Sequence, residues 1–121
     1  MTIEDKAIKL ILEYELKNGW EAEDVHRKGL PYDIVSKKGN EVRFIEVKAT
    51  KGKMRPYIEV SEALLRGLGK YIGNYYVYYV YNLGKPKLRI IDPDTLFKNL
   101  RTWVKLYFRF SQAKIPEIEL V

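Results

Sequence analysis

The run Tyr75-Tyr76-Val77-Tyr78-Tyr79-Val80-Tyr81 constrains this chain more than any other stretch. Every position is aromatic or β-branched, a composition that suits a pleated, packed surface and costs a helix side-chain freedom. A central strand is the one comfortable assignment, and a central strand requires neighbours and covering layers.

The sequence supplies both. Thr2 caps a predicted helix over residues 3–17 that ends at Asn18-Gly19, with Ile3, Ala7, Leu10, Ile11 and Tyr14 as its apolar stripe. Glu4 and Glu15 lie on the flank of that stripe and are the helix acids able to look inward. Short strands are expected over residues 23–26 and 32–36, and Lys37-Lys38-Gly39-Asn40 turns into a third strand over 42–49. A basic loop follows at 51–56, then a strand-like stretch over 57–60. Ser61 caps a second helix over about 62–71, closed by Gly73-Asn74. After the tyrosine run, Asn82 to Pro86 form a turn into a strand over 87–91, and Asp92-Pro93-Asp94 starts a short helix. Residues 102–121 read as a strand pair or as a helix and tail. The class is α/β: a helix, a three-strand meander, a helix and a further strand around one mixed β-sheet.

At 121 residues the chain is expected to be a single domain, 1–121. It contains no cysteine and one histidine, His26, which excludes disulfides and thiolate chemistry and leaves a His-rich zinc site little to work with. No stretch reads as a secretory signal or a membrane span, so a cytoplasmic protein is expected. A net charge of +6 suits a polyanionic partner such as nucleic acid, although a lysine-rich surface also serves solubility.

The chemistry lies in Asp33, Glu46 and Lys48. Glu-x-Lys occurs three times, at 4/6, 15/17 and 46/48. Residues two apart on a helix point about 200° away from each other, whereas on a strand they share a face. Only Glu46 and Lys48, in the strand reading, can converge on one ligand, with Ile45 and Val47 on the other face. Two hard carboxylates, Asp33 and Glu46, with the carbonyl of Val47 as a third ligand, suit Mg²⁺ or Mn²⁺, and Lys48 can orient water or neutralise charge. Lys37, Lys38, Lys51, Lys53 and Arg55 fall in turns and loops flanking this strand and are candidate phosphate contacts.

Leu12-Glu13-Tyr14-Glu15, Tyr32-Asp33-Ile34, Phe44-Ile45-Glu46-Val47-Lys48, Ile58-Glu59-Val60-Ser61-Glu62, the tyrosine run and Ile91-Asp92-Pro93 together resemble the PD-(D/E)xK nuclease superfamily. Within it, the likeness is greatest to the No Vein C-terminal-like domain. The resemblance implies a restriction-endonuclease-like core, Asp33 and Glu46 as metal ligands, and Lys48 as the catalytic lysine. It also implies a helix glutamate, for which Glu15 matches best and Glu4 is the fallback. Pro31 is separated from Asp33 by Tyr32, so the compact Pro-Asp dipeptide is absent.

The favoured reading is a metal-dependent endonuclease acting on DNA, in repair or defence. A nucleic-acid-binding module of the same fold that does not cut, and a basic adaptor for an acidic protein, are the alternatives. A homodimer is expected if residues 102–110 form a strand with Trp103, Lys105, Tyr107 and Arg109 on its outer face. Gly67-Leu68-Gly69-Lys70 echoes a phosphate-cradling loop, but Tyr71 and the spacing break the Walker pattern, and a helix end is the better reading. The six tyrosines from Tyr71 to Tyr81 are expected to pack a strand rather than to stack on bases.

Overall fold

A computed structural model describes residues 1–100 and 114–119. Among these, the elements run α1 (Ile3–Lys17), β1 (Glu21–Asp24), β2 (Ile34–Lys38), β3 (Glu41–Ala49), α2 (Glu62–Lys70), β4 (Tyr75–Tyr81), β5 (Lys87–Ile91) and α3 (Pro93–Asn99). The strands form one sheet in the order β1-β2-β3-β4-β5. All neighbours are antiparallel except β3 and β4, which run parallel because α2 carries the chain back between them.

Local chemistry fixes the helix ends. Thr2 accepts from the Asp5 amide while Asp5 reaches back to the Thr2 amide, a reciprocal cap, and Gly19 turns the chain with φ of +82°. Ser61 caps α2 through the Leu64 amide, and Asp92 caps α3 with Pro93 in its first turn.

The sheet has two unlike faces. On one, α1 lays Ala7, Ile8 and Ile11 against Ile34, Ile45, Val47, Tyr78 and Val80. On the other, Leu64 of α2 and Leu96 of α3 cover Tyr75 and Val77, with Phe44, Ile58 and Val60 packed around them. β4 is therefore covered on both faces, as the tyrosine run demands. The helix stripe is rotated from the expected one: Ala7, Ile8, Ile11 and Glu15 face inward, while Ile3 and Tyr14 are largely exposed. Residues 57–60 form no strand, since β4 already occupies the edge of β3 they would need; they cross the face as extended chain, anchoring Ile58 and Val60. Gly67 to Lys70 lie inside α2, so no phosphate loop forms there.

The expectations for residues 102–121, and the dimer face built on 102–110, fall largely outside the described residues; 114–119 carry no regular secondary structure. Among the described residues no helix is long and apolar enough to cross a membrane.

Candidate functional site

Register brings the predicted acids together. β2 and β3 pair Ile34 with Ile45, so continuing that ladder sets Asp33 opposite Glu46. The Asp33 amide donates to the Ile45 carbonyl (2.8 Å) and the Asp33 carbonyl accepts from Val25 (2.8 Å), which extends the sheet around this residue. The Asp33 side chain accepts from the Val47 amide through Oδ2 (2.8 Å). One carboxylate oxygen thus completes the backbone pairing of β3.

Glu46 and Lys48 project from the same face of β3, opposite α1, as the strand alternation predicts, with Ile45 and Val47 buried under α1. The Tyr75 hydroxyl is shared between two acceptors, the Pro31 carbonyl (2.6 Å) and, more weakly, Glu46 Oε2 (3.3 Å). Tyr75 therefore joins the segment before Asp33 to the strand carrying Glu46. The ring of Tyr75 lies so close to α2 that a Cβ on Gly67 would stand 2.2 Å from its Cε1.

Burial and proximity shape the electrostatics. Burial, and then the charge of Asp33, push the Glu46 carboxyl up to about 7, with Lys48 pulling the other way. Burial also raises Asp33, against the Val47 amide, which favours its charged form. The Tyr75 phenol is driven far above its usual range by burial and by Glu46. The two acids form one strained pair, with Lys48 as a nearby cation.

Of the two helix acids, Glu4 is the one that acts electrostatically on this pair. Its charge is felt by both Asp33 and Glu46. Glu15, the better match by motif, is placed elsewhere: it is 1% exposed and accepts from the Tyr78 hydroxyl (2.8 Å), which in turn accepts from Arg43 (2.8 Å). Tyr78 shares the α1 face of the sheet, the opposite side from Glu46, so the structure does not bring Glu15 to the acid pair. Arg43 is held between the rings of Trp20 (4.3 Å) and Tyr76 (4.5 Å), which makes this a polar tie between helix and sheet.

The basic candidates also divide. Lys38 pairs with Glu41, at the start of β3, about 23 Å from Lys48 at the strand rise of ~3.3 Å per residue. Its amine donates to the Asn18 carbonyl (3.0 Å), so Lys37 and Lys38 sit at the far end of the sheet from the acids. Lys51, Lys53 and Arg55 directly follow β3 and remain beside Lys48. Their loop is pinned: Arg55 donates its amide to the Tyr79 hydroxyl (3.0 Å), which donates to Thr50 Oγ1 (3.0 Å).

Sequence reasoning missed Tyr75 and the surroundings of His26. Asp24 holds His26 protonated above the usual histidine range through a 2.5 Å contact to Nδ1, and Asp5 lies 3.6 Å from Nε2. The charge of His26 reaches Asp33. The pairing of Tyr75 with Phe44 would have located the tyrosine had the register been known; nothing in the sequence marks the histidine.

Among the described residues, no three His, Asp or Glu side chains converge closely enough to hold a metal ion by themselves. Two neighbouring carboxylates nonetheless fit Mg²⁺, which keeps several waters and takes one or two carboxylates rather than a full protein cage.

A search of curated proteins returns no match. Among solved structures, a Holliday junction resolvase, Hjc from the archaeal hyperthermophile Archaeoglobus fulgidus, is similar at a TM-score of 0.57 and 22% identity, over 77% of this chain and 75% of that one. At that identity the likeness establishes the fold, a restriction-endonuclease-like sheet with flanking helices. The family described as Protein NO VEIN, C-terminal, matches residues 3–91. That match spans most of the chain, and the chain belongs to the NO VEIN C-terminal family.

Proposed function

We propose that this protein is a metal-dependent nuclease that hydrolyses DNA phosphodiesters, in repair or in defence against foreign DNA. The observation that carries the reading is the Asp33–Glu46 pair: two half-buried carboxylates on adjacent strands, both raised by burial, with the charge of Asp33 adding to the cost of ionising Glu46. Structure alone gains nothing from such a pair, whereas a divalent cation removes its repulsion. The likeness to a Holliday junction resolvase favours DNA as the polymer.

Asp33 and Glu46 would hold Mg²⁺ or Mn²⁺, with the Val47 carbonyl beside them and Glu4 the acid of α1 within electrostatic reach. A bound cation would supply Lewis-acid polarisation of the phosphate and a more acidic water. Lys48, on the face of Glu46, orients the attacking water and offsets charge growing on the phosphate oxygens. Tyr75 fixes the Glu46 carboxylate, and Asp33 is fixed by the Val47 amide. The second reading, a module that binds nucleic acid without cutting it, draws on that Val47 bond, which gives Asp33 a structural task as well.

Calorimetric titration with Mn²⁺ tests the reading. A site that weakens sharply in Asp33→Ala and in Glu46→Ala is expected, and binding unchanged in both removes the metal assignment. Lys48→Ala should keep its melting temperature within a few degrees and lose about 10² or more in DNA cleavage. Metal binding without any cleavage of duplex, single-stranded or branched DNA would favour the second reading.

A further inference from the structure

Two acid-free, basic stretches of the described residues meet at one corner of the fold. Residues 47–58 and 81–91 hold Lys48, Lys51, Lys53, Arg55, Lys85, Lys87 and Arg89, and neither stretch contains Asp or Glu. Those seven of the 22 basic residues give the two stretches a local charge of +7; residues 95–116 are a further acid-free stretch, with five basic residues.

The fold joins the two stretches. The Asn82 amide donates to the Gly52 carbonyl (2.7 Å) and the Leu83 amide to the Lys51 carbonyl (2.9 Å), which fastens the β4–β5 turn to the basic loop. Register then aligns the side chains. Lys48 pairs with Tyr79 and Tyr79 with Arg89, while Tyr81 pairs with Lys87, so all five share the face of Glu46. A chain of interactions runs along this row: Arg55 to the Tyr79 hydroxyl, Tyr79 against the Tyr81 ring (5.6 Å), and the Tyr81 hydroxyl to Arg89 Nε (3.2 Å). Among the described residues, α2 and α3 pack on the same face at its other end, over Tyr75 and Val77. Lys85, Lys87 and Arg89 are exposed.

We propose that the β4–β5 hairpin and the loop of residues 51–55 form one surface that follows the phosphate backbone of nucleic acid, which therefore reaches Lys48 from the β5 edge of the sheet. The identity of the polymer rests on the nuclease reading; the surface itself does not depend on a bound metal. A row of exposed cations with no interleaved acid, Arg89 held by the Tyr81 hydroxyl, suits the continuous negative charge of a phosphate backbone. An acidic protein is the competing occupant, and its interrupted surface charge suits an extended basic row less well than an unbroken phosphate chain does.

Binding of a labelled 20-base-pair DNA duplex, measured against salt with chelator present, tests this without requiring cleavage. Lys85→Ala, Lys87→Ala and Arg89→Ala together should flatten the log–log salt slope by about 2 to 3, at roughly 0.9 for each phosphate that the protein no longer neutralises. Lys6→Ala, Lys9→Ala and Lys17→Ala, the same charge change on the exposed side of α1, should leave the slope within about 0.5 of wild type. Should the hairpin variant fail to fold, Lys85→Gln with Lys87→Gln keeps the Arg89–Tyr81 hydrogen bond and is expected to flatten the slope by about 2. An unchanged slope, an equal flattening in both triple variants, or no duplex binding by wild type overturns the proposal, as does salt-sensitive binding of polyglutamate in preference to duplex. Loss of Mn²⁺ binding alone would overturn the nuclease reading and leave this surface standing.

Discussion

Glu46 is where sequence, burial and chemistry meet in one side chain. Its pKa of about 7 in the fold, against 4.5 as the ordinary value, means that the folded protein binds more protons than the unfolded chain between those limits. Stability should therefore fall as pH rises from about 4.5 to 7 and level off above, the reverse of a salt-bridged carboxylate. Glu46→Gln removes that dependence. Thermal melts should show the variant gaining on wild type at pH 8 and not at pH 4.5; a gain equal at both would mean the charge of Glu46 is not strained. The two helix glutamates should part in the same assays. Glu4→Gln is expected to lower Mn²⁺ affinity, whereas Glu15→Ala leaves it unchanged and costs about 1–3 kcal/mol by depriving the buried Tyr78 hydroxyl, which itself accepts from Arg43, of its acceptor. Lower metal affinity in Glu15→Ala with wild-type stability would reverse the assignment. The motif pointed to Glu15 because spacing along a helix says which residues share a face, not which end of the sheet that face meets.

α2 shows how an element is shaped by what it must lie against. Glycine inside a helix costs about 1 kcal/mol relative to alanine, yet Gly67 is buried at the closest approach of α2 to Tyr75. Gly67→Ala would raise helix propensity and still destabilise the protein, by about 1–3 kcal/mol, because the added methyl meets an aromatic ring that two hydrogen bonds hold in place. Denaturant melts decide the sign; a more stable variant would show that the ring can move aside. The sequence suggested only a fraying helix end here, since the reason for the glycine lies in a tyrosine on another element. α1, β3, β4 and β5 were legible to within a residue or so, because caps, alternation and the tyrosine run are local signals. The stretch 57–60 was not, although its Tyr-Ile-Glu-Val composition suits a strand: whether an edge is open to receive it depends on the whole sheet.

At the scale of the molecule, the acid pair was readable because antiparallel register is nearly dictated once a short turn joins two strands, whereas the division of the lysines between two ends of the sheet required the topology. The same topology has a kinetic side. Asp33 and Val47 lie 14 residues apart and close with the β2–β3 hairpin. Tyr75 reaches Pro31 across 44 residues and can arrive only after α2 has carried β4 into parallel pairing. Hairpins form quickly and distant pairings slowly, since the longer loop must be closed before any contact repays it. The carboxylates thus meet while still open to water, and docking of β4 is what shuts them away from it. On that order of events, the cost of enclosing the two carboxyls falls on the late step of folding.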